Sequence, residues 1–385
     1  METVTIDRLV PGGQGIGTLK TGQKAFVWGV LPGETVEFSI TKRKPSFVEG
    51  VVHRVVTPSP HRVDPKDACH LATSSWQIMD YDFELAQKSA LVKECFRQQH
   101  IDLPDLPPTA TDGKSYFYRN KMEYSLYWDN IASKIRLAFH ARGTHRKLPI
   151  DQSSLENPAV FAAATKLVDE LNLAQKSACD YQAILVRSDS KDDTRTALYK
   201  KRQPHPKLSP LTDTICGHSY SYSPNGFFQI NLPVYELALQ AIQPHIQTAK
   251  VIDLYAGVGT IGLSVARDRD LTLVEVDKSA FLELTKNCPP SARPVLAKSE
   301  AVLDFIAPDT TVIVDPPRAG CDPKLIERLA SVRPPAIIYL SCNPITQARD
   351  LAPLLEVYKI TACQTFNFFP RTPHIEHLTV LTAKH

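Results

Sequence analysis

What marks a membrane or exported protein is missing from this chain. No window of its 385 residues approaches the roughly 18 apolar positions that a bilayer-spanning helix needs, and the opening "METVTIDRLV" has no basic stretch leading into a long apolar run. We therefore expect no membrane association and a cytoplasmic protein. Paired cysteines are missing as well. The eight present (Cys69, Cys95, Cys179, Cys216, Cys288, Cys321, Cys342 and Cys363) fall in no CxxC or CxxH spacing, which excludes a disulfide framework and a zinc finger and leaves reduced thiols. No repeat or low-complexity tract is visible, which argues against a solenoid or a long disordered tail. With 43% hydrophobic and 22% charged residues, the composition is that of an ordinary globular chain, long enough for two or three domains and expected to be monomeric.

Net charge is only +3, but it is unevenly placed. Between Lys114 and Ile150, eight cations (Lys114, Arg119, Lys121, Lys134, Arg136, Arg142, Arg146 and Lys147) meet only Glu123 and Asp129, with Tyr116, Phe117, Tyr118, Tyr124, Tyr127 and Trp128 interleaved. Cations for phosphates beside rings for bases compose a nucleic-acid surface. The same pattern also describes a solvated strand face with core aromatics.

Residues 1–56 alternate apolar and polar positions in short runs ("TVTIDRL", "KAFVWGV", "ETVEFSI", "VEGVVHRVV") between Gly- and Pro-containing turns, which predicts a small OB-like β-barrel. "TPSPHRVDPKD" then reads as a linker, because its three prolines cannot propagate a helix or a central strand. Helical spacing over 76–100, strand-like runs and the helix "NPAVFAAATKLVDELNL" predict a mixed α+β middle domain, the whole stretch with its linker covering 57–215. From 216 to 385, apolar strands alternate with amphipathic helices, the pattern of a Rossmann-like doubly wound parallel sheet. The expected class is thus a multidomain α/β protein.

Four segments of the last domain carry chemistry. In "VIDLYAGVGTIGLSVA", Asp253 closes a strand and Gly257 and Gly259 let backbone approach a ligand, while Glu275 ends the next strand, where a carboxylate can bind ribose hydroxyls. A dinucleotide would want GxGxxG; AGVG followed by Thr260 fits S-adenosylmethionine better. A lone glycine turn is commonly structural, so the weight comes from its combination with Glu275. In "VIVDPPRAG", Asp315 tips a strand and Pro316–Pro317 stiffen the turn. Amino-methyltransferases put a base-stacking aromatic after the comparable turn; here Arg318 stands there, which shifts the target from an exocyclic amine toward carbon. In "YLSCNP", Cys342 follows an apolar strand. Such a cysteine is commonly core packing, but the carboxyl edge of this sheet is where a cofactor would lie. C5 of uracil accepts a methyl group only after a thiolate adds at C6, and a base must later remove the C5 proton. Glu376, opening the final apolar strand in "FPRTPHIEHL", is a candidate for that base or simply a surface acid.

Taken in order, "DLYAGVGTIGL", "VDPPRAG", "YLSCNP" and "FPRTPHIEHL" resemble the RNA uracil-5-methyltransferase family, "GFFQINLPVYE" resembles the segment before its methyltransferase core, and the barrel resembles the TRAM domain of its ribosomal-RNA branch. The resemblance spans essentially the whole chain. It implies Cys342 as nucleophile, Glu376 as proton acceptor, and Gln229, Tyr255, Glu275 and Asp315 contacting S-adenosylmethionine or placing the uridine, with Thr260 a further cofactor candidate. It also implies an RNA partner, 23S ribosomal RNA ahead of transfer RNA, bound by the barrel and the basic middle segment. One departure concerns an iron–sulfur cluster that many members of this branch carry on a C-x5-C-x2-C run. Thr73 and Trp76 stand where the paired cysteines would be, Cys69 is alone, and serines in "IDQSSLENP" replace the fourth thiol. One thiolate cannot hold a cluster that takes about four. We expect no metal, Cys69 as an ordinary thiol, and packing around Trp76 to organise that loop. The competing readings are a cytosine-5-methyltransferase, which uses the same thiol logic in a Pro-Cys or Thr-Cys context, and a non-catalytic RNA-binding protein that keeps the fold; intact Cys342, Glu376 and Glu275 argue against the second.

Overall fold

The computed structural model describes residues 1–384 except 143 and 145. Its first strands, β1 (Glu2–Leu9), β2 (Gly15–Thr18), β3 (Lys24–Trp28), β4 (Thr35–Arg43) and β5 (Phe47–Thr57), close a barrel in the order β1-β2-β3-β5-β4. The alternation seen in the sequence puts Val4, Ile6, Ala25, Val27, Val36, Phe38 and Val48 inside it. The proline-rich linker does not trail free. Arg62 donates to the buried Glu34 carboxylate from Nε (2.5 Å) and Nη2 (2.7 Å), which ties the linker to the barrel.

After a single helical turn, α1 (His70–Thr73), comes helix α2 (Tyr81–Arg97), capped by the Asp80 carboxylate accepting from the Phe83 N–H. Although α2 precedes the middle sheet in sequence, its apolar face (Leu91, Val92, Cys95, Phe96) joins the core of the C-terminal sheet. The middle sheet has the order β10-β9-β6-β7-β8, built from β6 (Lys121–Asp129), β7 (Lys134–His140), β8 (Lys147–Pro149), β9 (Tyr181–Ser188) and β10 (Thr194–Lys200), and is covered by α3 (Pro158–Leu173). Hairpin β11 (Leu211–Ile215) and β12 (His218–Tyr222) follows, so the boundary expected at 215/216 falls inside a hairpin whose Leu211, Ile215, Tyr220 and Tyr222 all join the C-terminal core.

The remaining elements are α4 (Leu232–Ile242), β13 (Lys250–Leu254), α5 (Thr260–Val265), β14 (Asp270–Glu275), α6 (Lys278–Asn287), β15 (Arg293–Leu296), β16 (Thr310–Val314), α7 (Pro323–Val332), β17 (Ala336–Ser341), α8 (Pro344–Leu354), β18 (Tyr358–Phe366) and β19 (Glu376–Ala383). They form a seven-stranded sheet in the order β15-β14-β13-β16-β17-β19-β18. Its first five strands are parallel and apolar on both faces, as strands covered by helices must be. The expected all-parallel sheet needs one correction: β19 slots antiparallel between β17 and β18. Strand direction leaves no trace in the hydrophobic pattern of so buried a segment, but it decides what meets at the sheet edge.

Candidate active site

The strand order reverses at β13, and open α/β sheets bind ligands outside the carboxyl ends of the strands at such a point. There the chain turns sharply. Tyr255 (φ 62°), Gly257 (φ 58°) and Gly259 (φ 90°) are all left-handed, a conformation that costs a non-glycine residue about 1–2 kcal/mol. Fixed partners hold it: Ala256 N–H donates to Val274 O (2.9 Å) and Gly257 N–H to Glu275 Oε2 (2.7 Å). Glu275 Oε1 also accepts from Asp277 N–H (2.6 Å), so this carboxylate braces the turn on both sides. A Cβ at Gly257 would meet nothing within 4 Å, because that side faces a cavity.

The cavity measures about 750 Å³, and Gln229, Tyr255, Thr260, Glu275, Asp315, Cys342 and Glu376 all line it. The antiparallel insertion explains why the last two meet. Ser341 on β17 pairs with His377 on β19. Cys342 leaves β17 one residue later, and Glu376 enters β19 one residue earlier, so they stand side by side at the carboxyl edge. A parallel β19 would have sent Glu376 to the opposite edge. Asp315 caps β16 next to them, and the Arg318 carbonyl is fixed by Asn343 Nδ2 (2.9 Å) and Thr346 Oγ1 (3.2 Å).

Burial makes these groups hold their protons. The Cys342 thiol is pushed up to about 12 by burial and then by the Glu376 and Asp315 carboxylates, with Arg318 opposing. Glu376, 4% exposed, is raised well above the ordinary carboxyl range by burial and then by Asp315. Burial alone lifts Asp315 to about 7. Asp253, behind the glycine turn, also rises to about 7 through burial: Oδ2 accepts from Gly262 N–H (2.8 Å), but Oδ1 has no partner. On the rim, His374 Nδ1 accepts from Arg318 Nη2 at 2.9 Å, which requires that nitrogen to be unprotonated. Desolvation by the surrounding protein and then the Arg318 charge move this imidazole down to about 4, in keeping with its neutral form.

Sequence reasoning missed what holds the loop ahead of Glu376. Glu84 and Lys88 sit on the buried face of α2, both fully shielded. Lys88 Nζ donates to Asn367 Oδ1 (2.6 Å) and Phe369 O (3.0 Å), while Glu84 Oε1 accepts from Asn367 Nδ2 (3.1 Å) and from Arg371 N–H (3.0 Å). Arg371, itself left-handed (φ 62°), donates from Nη1 to Met79 O (2.8 Å). The sequence signal was present: Glu84, Lys88, Leu91 and Cys95 follow helical spacing, so two charges share the apolar stripe. The barrel braces the same loop, since a Cβ at Gly13 (φ 95° at Gly12, 99° here) would stand 2.6 Å from Pro373 Cβ. Arg119, Phe227 and His374 also line the cavity and were not singled out for it.

The loop around Cys69 is organised by packing and by a polar web. Trp76 is 1% exposed, as expected of a packing anchor. Beyond it, the buried Asp67 carboxylate accepts from Gln77 Nε2 (2.8 Å), Ser154 Oγ (2.9 Å) and Ser154 N–H (3.1 Å), linking the loop to the "IDQSSLENP" segment. Burial pushes Cys69 up to about 11, so it is an unreactive thiol. Among the described residues, no group of three or more His, Cys, Asp or Glu side chains is placed to hold a metal ion.

The basic middle segment divides. Lys114, Lys134, Arg146, Phe117 and Trp128 are exposed. Tyr124 is core, Arg136 pairs with Asp129 (2.9 Å) and Asp151 (2.7 Å), and Arg142 lies 3.9 Å over the Trp28 ring of the barrel. No helix among the described residues is long and apolar enough to cross a membrane.

Two family models match the chain: tRNA (Uracil-5-)-methyltransferase over residues 301–384 and TRAM domain over residues 2–53. A Lactiplantibacillus plantarum protein described as an uncharacterized RNA methyltransferase is 27% identical over 438 residues, covering 96% of this chain and 94% of its own. A Bacillus anthracis protein of the same description is 27% identical over 447 residues, covering 99% and 96%. Among solved structures, the Pyrococcus abyssi tRNA (uracil-54, C5)-methyltransferase in complex with S-adenosyl-L-homocysteine superimposes with a TM-score of 0.81 over 99% of both chains, at 21% identity.

Proposed function

We propose that this chain is a member of the RNA uracil-5-methyltransferase family, and that it methylates C5 of a uridine in structured RNA through a covalent bond between Cys342 and C6. The observation that carries this reading is the meeting of Cys342 and Glu376 in the cavity beneath the glycine turn. The open side of Gly257, the Glu275 carboxylate behind it, and Gln229, Tyr255, Thr260 and Asp315 on the walls suit an adenosine and an amino-acid moiety, so these residues would hold S-adenosylmethionine and place the uracil. When bound, that cofactor supplies an electrophilic methyl group and a positive sulfonium whose charge favours the ionised forms of Cys342, Asp315 and Glu376.

Cys342 rests as a thiol and must ionise as the ring arrives; Arg318 is the cation at hand to favour the thiolate. The sulfur's electron pair forms the bond to C6, and the displaced π pair makes C5 nucleophilic. Glu376 acts in its ionised form, its own proton having gone to solvent as the sulfonium binds: after methylation it takes the C5 proton, the C5–H pair restores the double bond, and the C6–S bond breaks to return the sulfur. The high proton affinity that burial gives Glu376 suits this step. Flipping the target uridine from its stack costs a few kcal/mol; exposed cations of the barrel and middle domain, with the exposed Phe117 and Trp128 rings, would offset it.

The barrel favours 23S ribosomal RNA as the substrate in our reading. Transfer RNA is the second reading, favoured by the Pyrococcus abyssi tRNA methyltransferase, whose likeness extends over 99% of both chains. Mapping 5-methyluridine in both RNAs from a deletion strain separates them. For the chemistry, Glu376→Gln incubated with RNA and S-adenosylmethionine should accumulate a covalent protein–RNA band on a denaturing gel, and Cys342→Ala should give neither band nor product. Absence of the band from Glu376→Gln contradicts the roles given to the pair.

A further inference from the structure

Gln229 reaches the cavity from a stretch, residues 223–231, that belongs to no strand or helix. Its carbonyls nevertheless have partners, and they come from the middle sheet. Lys121 Nζ on β6 donates to Gly226 O (2.7 Å) and Asn225 O (3.2 Å). Arg187 Nη2 on β9 donates to Phe228 O (2.9 Å) and Gln229 O (3.2 Å). Lys121 and Arg187 are direct cross-strand partners.

Sheet packing does not account for this pair, because like charges directly opposite one another destabilise a sheet. Arg187 is also 0% exposed, forms no ion pair among the described residues, and leaves Nε and Nη1 without partners. The faces of Tyr222 (4.6 Å) and Phe228 (5.4 Å) cover its guanidinium, and the buried Asp213 carboxylate, which accepts from the Tyr222 hydroxyl (2.6 Å), acts on it only from beyond ion-pair range. A buried cation with no carboxylate in direct contact is costly to hold. What the two cations do together is fix four carbonyls over the five residues from Asn225 to Gln229, a span that turns the Gln229 side chain and the 75%-exposed Phe227 ring onto the cavity.

We infer that Lys121 and Arg187 are positioning residues for the methylation reaction, a two-cation clamp through which the middle sheet sets the Phe227–Gln229 backbone. This rests on the reading above, in which Gln229 contacts cofactor or uracil. It makes the middle sheet more than a surface for RNA, since displacing it by an ångström would displace a wall of the active site.

The test uses the full chain. Arg187→Met is exposed to misfolding, so Lys121→Met is the primary variant, with Lys121→Arg as the conservative one. A misplacement of about 1 Å can cost about a hundredfold in rate, so kcat/KM for RNA methylation should fall ten- to a hundredfold in Lys121→Met and recover largely in Lys121→Arg. Adding Lys121→Met to Gln229→Ala should then cause little further loss, because the clamp acts through Gln229. Hydrogen exchange over 223–231 should quicken in Lys121→Met while β7 and α3 keep their protection. Multiplicative losses in the double variant, or unchanged exchange in 223–231, overturn the clamp. The exchange measurement decides even if the wild-type chain labels no uridine, an outcome that would remove the proposed reaction and leave the clamp standing on its own evidence.

Discussion

Asp253→Asn should stabilise the ligand-free protein, and by an amount that depends on pH. The Asp253 carboxyl is 0% exposed, with one oxygen on Gly262 N–H and the other unpaired. Burial raises it from 3.8 to about 7. The folded state therefore holds this proton where the unfolded chain has released it. The cost vanishes well below pH 3.8, grows between 3.8 and about 7, and is constant well above. Taking both values at face, it is at most about 4.3 kcal/mol at pH 8 and about 1.7 kcal/mol at pH 5. An asparagine removes the charge and keeps an oxygen for Gly262, while its amide adds an unpaired donor whose cost does not vary with pH. That constant cancels when the stability difference between variant and wild type at pH 5 is subtracted from the difference at pH 8. The remainder should favour Asp253→Asn at pH 8 by up to about 2.6 kcal/mol. Urea unfolding followed by tryptophan fluorescence at the two pH values gives it. An equal effect at both, or a larger gain at pH 5, would mean that Asp253 is not a protonated buried acid.

Two further outcomes follow from other buried groups. Lys88→Met leaves the Glu84 carboxylate buried with only Arg371, 3.8 Å away, as a cation, and should destabilise the fold by about 3–5 kcal/mol in urea unfolding; a loss below about 1 kcal/mol would show that the cluster is not charged. With burial holding its thiol up to about 12, Cys342 should react with iodoacetamide at pH 8 more than about tenfold more slowly than the exposed Cys179, the lost thiolate fraction outweighing the greater nucleophilicity of a high-pKa sulfur. Peptide mass spectrometry after timed alkylation reads both sites at once, and comparable rates would refute the resting thiol.

Much of this was legible in the sequence because local patterns carry it. Alternation with period two gave the barrel strands, and the apolar runs ending in Asp253, Glu275, Asp315 and Cys342 gave the carboxyl edge. What stayed hidden depends on contacts between distant segments. Nothing in "EHLTVLTA" distinguishes a parallel from an antiparallel strand when both faces are buried. Glu84 and Lys88 look like surface charges until the helical face they occupy is known to be inward. Lys121, read as one cation in a basic run, and Arg187, not singled out in the sequence, acquire meaning only through a register that pairs them. The polar web of Asp67, Gln77 and Ser154 escaped for the same reason: its members come from two loops that only the fold brings together.

Because β19 occupies an inner slot of the sheet although it is the last strand in sequence, β18 has no neighbour until that slot is filled. Such a sheet cannot grow outward strand by strand as the chain is made; it must hold a gap open or admit β18 and β19 together as a pre-formed hairpin. Completing the sheet and creating the reactive pair thus become a single event, so no half-folded species should carry a working sulfur.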